Sequence, residues 1–206
     1  MADNVAALVR LMLVTDDHLV EGRDPVALAL AAERGGATSV QLRLKLASPR
    51  EQVERARVLV AALRIPVLVN DRPDIALAAG AAGVHLGPGD LPVALARRVC
   101  PPGFIIGASV GALNEAHAAV EADYWGIGPW RATETKGDAG EALGAEGFRQ
   151  LVEVGGGKPC IAIGAVRPED VARVLAVGGA GVAVVSGILG EEEVERATRR
   201  YAERAP

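Results

Sequence analysis

Eight short apolar runs punctuate this chain, and each is followed by a stretch of helical character. The runs cover 11–15, 39–42, 67–69, 83–85, 104–108, 124–127, 160–163 and 181–185. They recur roughly every 20–30 residues, the rhythm of strands alternating with helices. The stretches between them read as helices over 25–33, 48–63, 73–79, 91–99, 111–120, 145–154, 168–176 and 191–201. Pro25 and Pro49 suit a first helical turn, and Gly35-Gly36 and Pro101-Pro102-Gly103 read as terminators. Continuous apolar runs without polar alternation are buried on both faces, as in parallel strands sheathed by helices. Aromatics are only 3% of a chain that is 50% hydrophobic, so that core is built from Ala, Val, Leu and Ile. Eight βα units predict an α/β fold, a single (β/α)8 TIM barrel spanning residues 1–206 as one domain. An open doubly wound sheet would carry G-x-G-x-x-G after its first strand, where this chain has Thr15-Asp16-Asp17-His18.

In such a barrel the residues leaving each strand converge on one mouth. Asp71 and Asp90 follow two successive strands, and two carboxylates converging there suit a hard divalent cation such as Mg2+. The plainer alternative is that Asp71 caps the next helix and Asp90 closes a turn. The second strand exits through Gln41, Arg43 and Lys45, the third through Asn70 and the fifth through Ser109. The long polar loop over 128–144 contributes Thr133, Thr135 and Lys136. Only three of the 22 basic residues are lysines, and two of them, Lys45 and Lys136, fall at these exits. Ile163-Gly164-Ala165-Val166 and Val184-Val185-Ser186-Gly187 are small-residue turns after the last two strands, the habitual phosphate site of barrel enzymes. The cations and a metal exceed the needs of one monophosphate and match a diphosphate, so the mouth is expected to hold two anions. No nucleophile–base pair is evident: Val110-Gly111 follow Ser109, and mid-strand His85 reads as a packed, hydrogen-bonded histidine. Chemistry by ionisation and positioning is the expectation.

The net charge of −4 and the absence of a basic run speak against nucleic-acid binding. No apolar run reaches membrane-spanning length, and Cys100 and Cys160 form no metal or redox motif. A cytoplasmic protein acting on small molecules is expected, with self-association left open.

Taken together, these stretches resemble the thiamine-phosphate synthase (thiamine-phosphate pyrophosphorylase) family. The resemblance is carried by Gln41-Leu-Arg-Leu-Lys45, Val69-Asn-Asp-Arg72, Gly83-Val-His-Leu-Gly87 with Asp90, Gly126-Ile-Gly-Pro129 with Thr133-Glu-Thr-Lys136, Ile161-Ala-Ile-Gly164 and Val184-Val-Ser-Gly187, in that order. It implies a transferase of thiamine biosynthesis joining 4-amino-2-methyl-5-(hydroxymethyl)pyrimidine diphosphate to a thiazole phosphate, with Mg2+ as cofactor. The route implied is dissociative: diphosphate leaves, a pyrimidine-stabilised carbocation forms, and the thiazole nitrogen captures it. Matched residue by residue, Asp71 and Asp90 would hold the metal, and Arg43, Lys45, Asn70 and Lys136 the diphosphate. Gln41 and Ser109 would meet the pyrimidine, while Thr133, Thr135, Gly164, Val185 and Ser186 would hold the thiazole phosphate. Lys136, Arg43 and Ser109 would carry the catalytic roles. Leu44 departs from the usual acidic residue of its stretch, Val110-Gly111 from the residues after Ser109, and Ala165 from a second glycine. A backbone contact at 165 is expected to survive only with a negative φ there. The alternatives are a thiazole tautomerase-like barrel of the same superfamily and a catalytically silent phosphate-binding barrel.

Overall fold

A computed structural model describes residues 2–132 and 141–205. Eight parallel strands close on themselves in chain order, with β1 (Leu11–Val14) paired to both β2 (Ser39–Leu42) and β8 (Gly181–Val184). Between these lie β3 (Val67–Asn70), β4 (Gly83–Leu86), β5 (Ile105–Val110), β6 (Tyr124–Ile127) and β7 (Cys160–Ala162). The helices are α1 (Ala2–Leu8), α2 (Pro25–Arg34), α3 (Pro49–Ala62), α4 (Pro73–Ala79), α5 (Val93–Val99) and α6 (Leu113–Ala116). They continue with α7 (Gly144–Val154), α8 (Val171–Ala176), α9 (Ser186–Leu189) and α10 (Val194–Ala202). The expected closed α/β barrel is what forms.

Successive strand side chains point to opposite faces, and this divides the core in two. Leu11, Leu13, Val40, Leu42, Val84, Ile106, Ile127 and Val182 pack outward against the helices. Met12, Val14, Leu68, Tyr124, Ile161 and Ala183 fill the interior together with Leu8 and Val9. Helix α1, which the sequence did not lead us to expect, delivers those last two across the amino-terminal mouth. There the Thr38 and Ser39 hydroxyls donate to the Leu8 carbonyl at 2.8 and 2.9 Å. Local signals start the outer helices. Asp24 accepts the Val26 N–H at 2.9 Å ahead of Pro25, and Ser48 and Glu51 form a reciprocal capping box ahead of α3.

The structure corrects three expected helices. The one over 111–120 is reduced to α6, at whose start Glu115 accepts the Gly111 N–H at 2.6 Å. The chain beyond it winds through i→i+3 bonds such as Ala118 N–H to Glu115 O. The helix over 91–99 begins only at Val93, after Pro92. The one over 191–201 begins at Val194, its first buried residue, since three exposed glutamates precede it. Strand β5 runs two residues past its expected end, through Ser109 and Val110, which pair with Gly126 and Ile127.

Closure also lines up rows of inward residues. Asn70, His85, Gly107 and Tyr124 stand level on β3, β4, β5 and β6. Gly107 is obligatory in that row, because a Cβ there would lie 2.2 Å from Tyr124 Cζ. Gly107→Ala is therefore expected to cost about 1–3 kcal/mol through overpacking, read as a lowered urea midpoint. An unchanged midpoint would mean that the tyrosine ring does not occupy this gap.

Candidate active site

The β2 exit is held in place from the β1 exit. Thr15 Oγ1 accepts the Arg43 N–H at 2.7 Å and donates to the Arg43 carbonyl at 3.1 Å. Asp17 accepts the N–H groups of Lys45 and Leu46 at 2.8 and 3.2 Å. Leu44, where the resemblance leads one to expect an acidic residue, is buried in the outer core. Arg43 Nη1 lies 3.3 Å from Asp16 Oδ2, in a pair that is largely shielded from solvent.

Asp71 follows β3 in a sharp three-residue turn. Its φ is +64°, and the Arg72 N–H reaches back to the Asn70 carbonyl at 2.8 Å. Such a γ-turn is rare and strained, and backbone strain of this kind collects at functional sites. Asp71 does not cap α4, whose N-cap, Arg72, makes no side-chain cap bond. Asp90 does close its turn, accepting the Gly87 N–H at 2.6 Å. The Asp71 carboxyl lies close enough to act on it, so the two acids face each other. Burial, then Asp71, pushes the Asp90 carboxyl up to about 6, and the Gly87 N–H and Lys45 only partly offset this. Lys45 Nζ stands 3.5 Å from Asp71 Oδ2.

Beside this group opens a cavity of about 520 Å3, within the range of small-molecule sites. Its wall includes Gln41, Arg43, Asn70, Ser109, Gly164, Val185 and Ser186 from the strand exits. Asp71, Asp90 and Lys45 sit beside the cavity rather than in its wall, next to the lining residues Asn70 and Pro88. Thr133, Thr135 and Lys136 lie outside the described residues. On the far side Ala165 adopts φ +50° after Gly164 at φ +94°, so the negative φ expected at 165 is not found. The hydroxyl of Tyr201 on α10 donates to the Val166 carbonyl at 3.0 Å and supports this turn from behind. The N–H groups of Ser186 and Gly187 belong to the unsatisfied first turn of α9.

The cavity floor holds what sequence reasoning missed. His85 Nε2 is 3.0 Å from Ser109 Oγ, and His85 Nδ1 is 2.9 Å from Tyr124 Oη. His85 is buried and hydrogen-bonded, as expected. No histidine lies near Ser109 in the sequence, yet strand register brings His85 to it from a neighbouring strand. Glu115 and Glu141 also line the cavity, and no motif pointed to either.

Fold and site together define a (β/α)8 barrel enzyme whose mouth is equipped for anionic ligands. Residues 11–188 match the family model described as thiamine monophosphate synthase, and the chain belongs to that family. A thiamine-phosphate synthase of Methanoculleus marisnigri is 43% identical over 94% of each chain. One from Azorhizobium caulinodans is 45% identical over 92% of this chain and 91% of its own. The solved structure of a thiamine phosphate pyrophosphorylase from Pyrococcus furiosus superposes with a TM-score of 0.88 at 36% identity, covering 98% of both chains.

Two stability measurements probe this geometry. The Asp90 carboxyl binds its proton more tightly folded, at about 6, than its ordinary 3.8, so its contribution to stability falls as pH rises between those values. In metal-free buffer, Asp90→Asn, which keeps an acceptor for the Gly87 N–H, should therefore gain thermal midpoint over the parent as pH passes through that window. A difference that stays flat across it would refute the raised proton affinity of Asp90. Ala165→Gly should raise stability by about 0.5–1 kcal/mol, relief of the left-handed backbone outweighing the entropy of glycine. A lower urea midpoint in that variant would show that Ala165 is not strained.

Proposed function

We propose that this enzyme joins 4-amino-2-methyl-5-(hydroxymethyl)pyrimidine diphosphate to a thiazole phosphate, giving thiamine phosphate and diphosphate. The observation that carries this reading is that the Asp71 and Asp90 carboxyls face each other beside Lys45, next to a cavity whose wall carries Arg43 and the turns at Gly164 and Val185. Membership of the thiamine monophosphate synthase family supports it independently.

The diphosphate end is assigned to Arg43, Lys45, Asn70 and Lys136. In the free protein Arg43 and Lys45 each face a carboxylate, Asp16 and Asp71. A bound diphosphate would meet cations already aligned. Mg2+ suits Asp71 and Asp90, since two acids forced together are relieved by a divalent cation, and this ion usually binds through one or two carboxylates plus water and phosphate oxygens. When bound, it supplies charge neutralisation to the leaving diphosphate. Gln41 and Ser109 orient the pyrimidine from the floor. Gln41 is buried, with its amide nitrogen 3.5 Å from Met12 Sδ, and so is held in one pose. Thr133, Thr135, Gly164, Val185 and Ser186 hold the thiazole phosphate, the last three through backbone N–H groups. Holding both partners face to face serves a dissociative substitution, in which capture of a short-lived cation depends on proximity. Lys136, Arg43 and Ser109 are the catalytic residues of this reading. Both cysteines are buried and unpaired, which suits a reducing cytoplasm. No helix of the described residues is long and apolar enough to cross a membrane.

The test supplies both substrates with Mg2+ and follows diphosphate release. Turnover should need the metal and fall at least about 100-fold in Asp71→Asn and Lys136→Ala, the scale of losing one group that stabilises developing charge. Full turnover with a chelator, or in Asp71→Asn, would defeat the assignment.

A further inference from the structure

The hydrogen-bonded chain Tyr124–His85–Ser109 superficially resembles a nucleophile with its base, yet the proton positions it requires run the other way. Tyr124 is fully buried in the barrel interior. Its hydroxyl is 2.9 Å from His85 Nδ1, and among the described residues no other hydrogen-bond partner of that hydroxyl is found. Every buried side-chain polar atom of the described residues is satisfied. A buried phenol that gave its proton to nothing would lose about 1–3 kcal/mol, so the Tyr124 O–H donates to Nδ1. Burial also drives the Tyr124 phenol far above its ordinary pKa, which keeps that proton in place. A neutral imidazole that accepts at Nδ1 must carry its hydrogen at Nε2. The Nε2–H then donates to Ser109 Oγ at 3.0 Å, and the serine's own hydrogen is left to point into the cavity.

We infer that His85 and Tyr124 are positioning residues that fix Ser109 as a hydrogen-bond donor toward an acceptor atom of the heteroaromatic substrate, and that His85 does not act as a base on Ser109. This deepens the transferase reading and rests on it for the identity of the substrate. Three strands are shaped for the relay. His85, Gly107 and Tyr124 are level in the sheet, and with no side chain at 107 the tyrosine ring lies across the gap to His85. One row further along, Gly126 stands opposite Ser109, and a Cβ there would lie 3.0 Å from His85 Cε1. The two rings are tilted at 34° with centroids 5.5 Å apart, so the hydroxyl and not a stacked face makes the contact. His85 also touches the other half of the site, since its backbone carbonyl accepts the Asp71 N–H at 2.8 Å.

Tyr124→Phe keeps the ring and removes the proton donor. The test reads the His85 tautomer of the substrate-free protein from long-range 15N–1H correlation spectra near neutral pH. The wild type should show a single Nε2–H form, and Tyr124→Phe should show a mixture with Nδ1–H. A wild-type His85 carrying its hydrogen on Nδ1, or doubly protonated, would overturn the relay whatever the enzyme's substrates prove to be. Kinetics give the second arm. Tyr124→Phe and Ser109→Ala should each lower kcat/KM for the pyrimidine substrate about tenfold, and the double variant should be no worse than Ser109→Ala alone. Losses that multiply would sink the coupling. Absence of turnover in the wild type would count against the transferase reading, and the spectra would still decide the relay.

Discussion

Closing eight strands into a ring commits every second side chain to a shared interior, and the rest of this molecule follows from that geometry. Toward the amino-terminal mouth the interior is filled by Met12, Leu68, Tyr124, Ile161 and the incoming Leu8 and Val9. Toward the other mouth the same alternation brings Gln41, Asn70, His85 and Ser109 around one cavity, where apolar packing gives way to hydrogen bonds. One ring thus supplies both a stable base and a polar cup, with no loop needed to carry the floor of the site.

The cup is held under tension at two points on opposite sides. Asp71 and Ala165 are the non-glycine residues of the described chain with positive φ, and each sits in a turn just beyond a strand. At Asp71 the strained turn sets an acid near Asp90, whose carboxyl, through burial and then this neighbour, keeps its proton up to about 6. At Ala165 the strained turn is tied down from outside by Tyr201. In both places surrounding structure enforces a conformation that the local chain would not choose, as preorganised binding sites do.

The eight strands were legible because each is a brief apolar run between turn residues, and the strand exits were legible once the ring was assumed. Gln41, Arg43, Asn70, Ser109, Gly164, Val185 and Ser186 all line the cavity for that reason. The Ser109–His85 contact was not legible, since 24 residues separate the partners and only the register of two neighbouring strands joins them. Nor could the backbone at 165 be read, because alanine takes a left-handed conformation only when its neighbours compel it. Helix α6 fell short of its periodic pattern, the chain beyond Ala116 tightening into i→i+3 turns. The burial of Leu44 among polar neighbours in sequence was likewise not legible, since tertiary packing decides it.

The gap at Gly107 has a consequence for both strands. A tyrosine at 124 has nowhere to lie unless the neighbouring strand has already lost its side chain, and a bare glycine without the ring would leave a void in the barrel. A side chain at 107 and the ring at 124 thus compete for one space, and a change at either position alters what the other can hold.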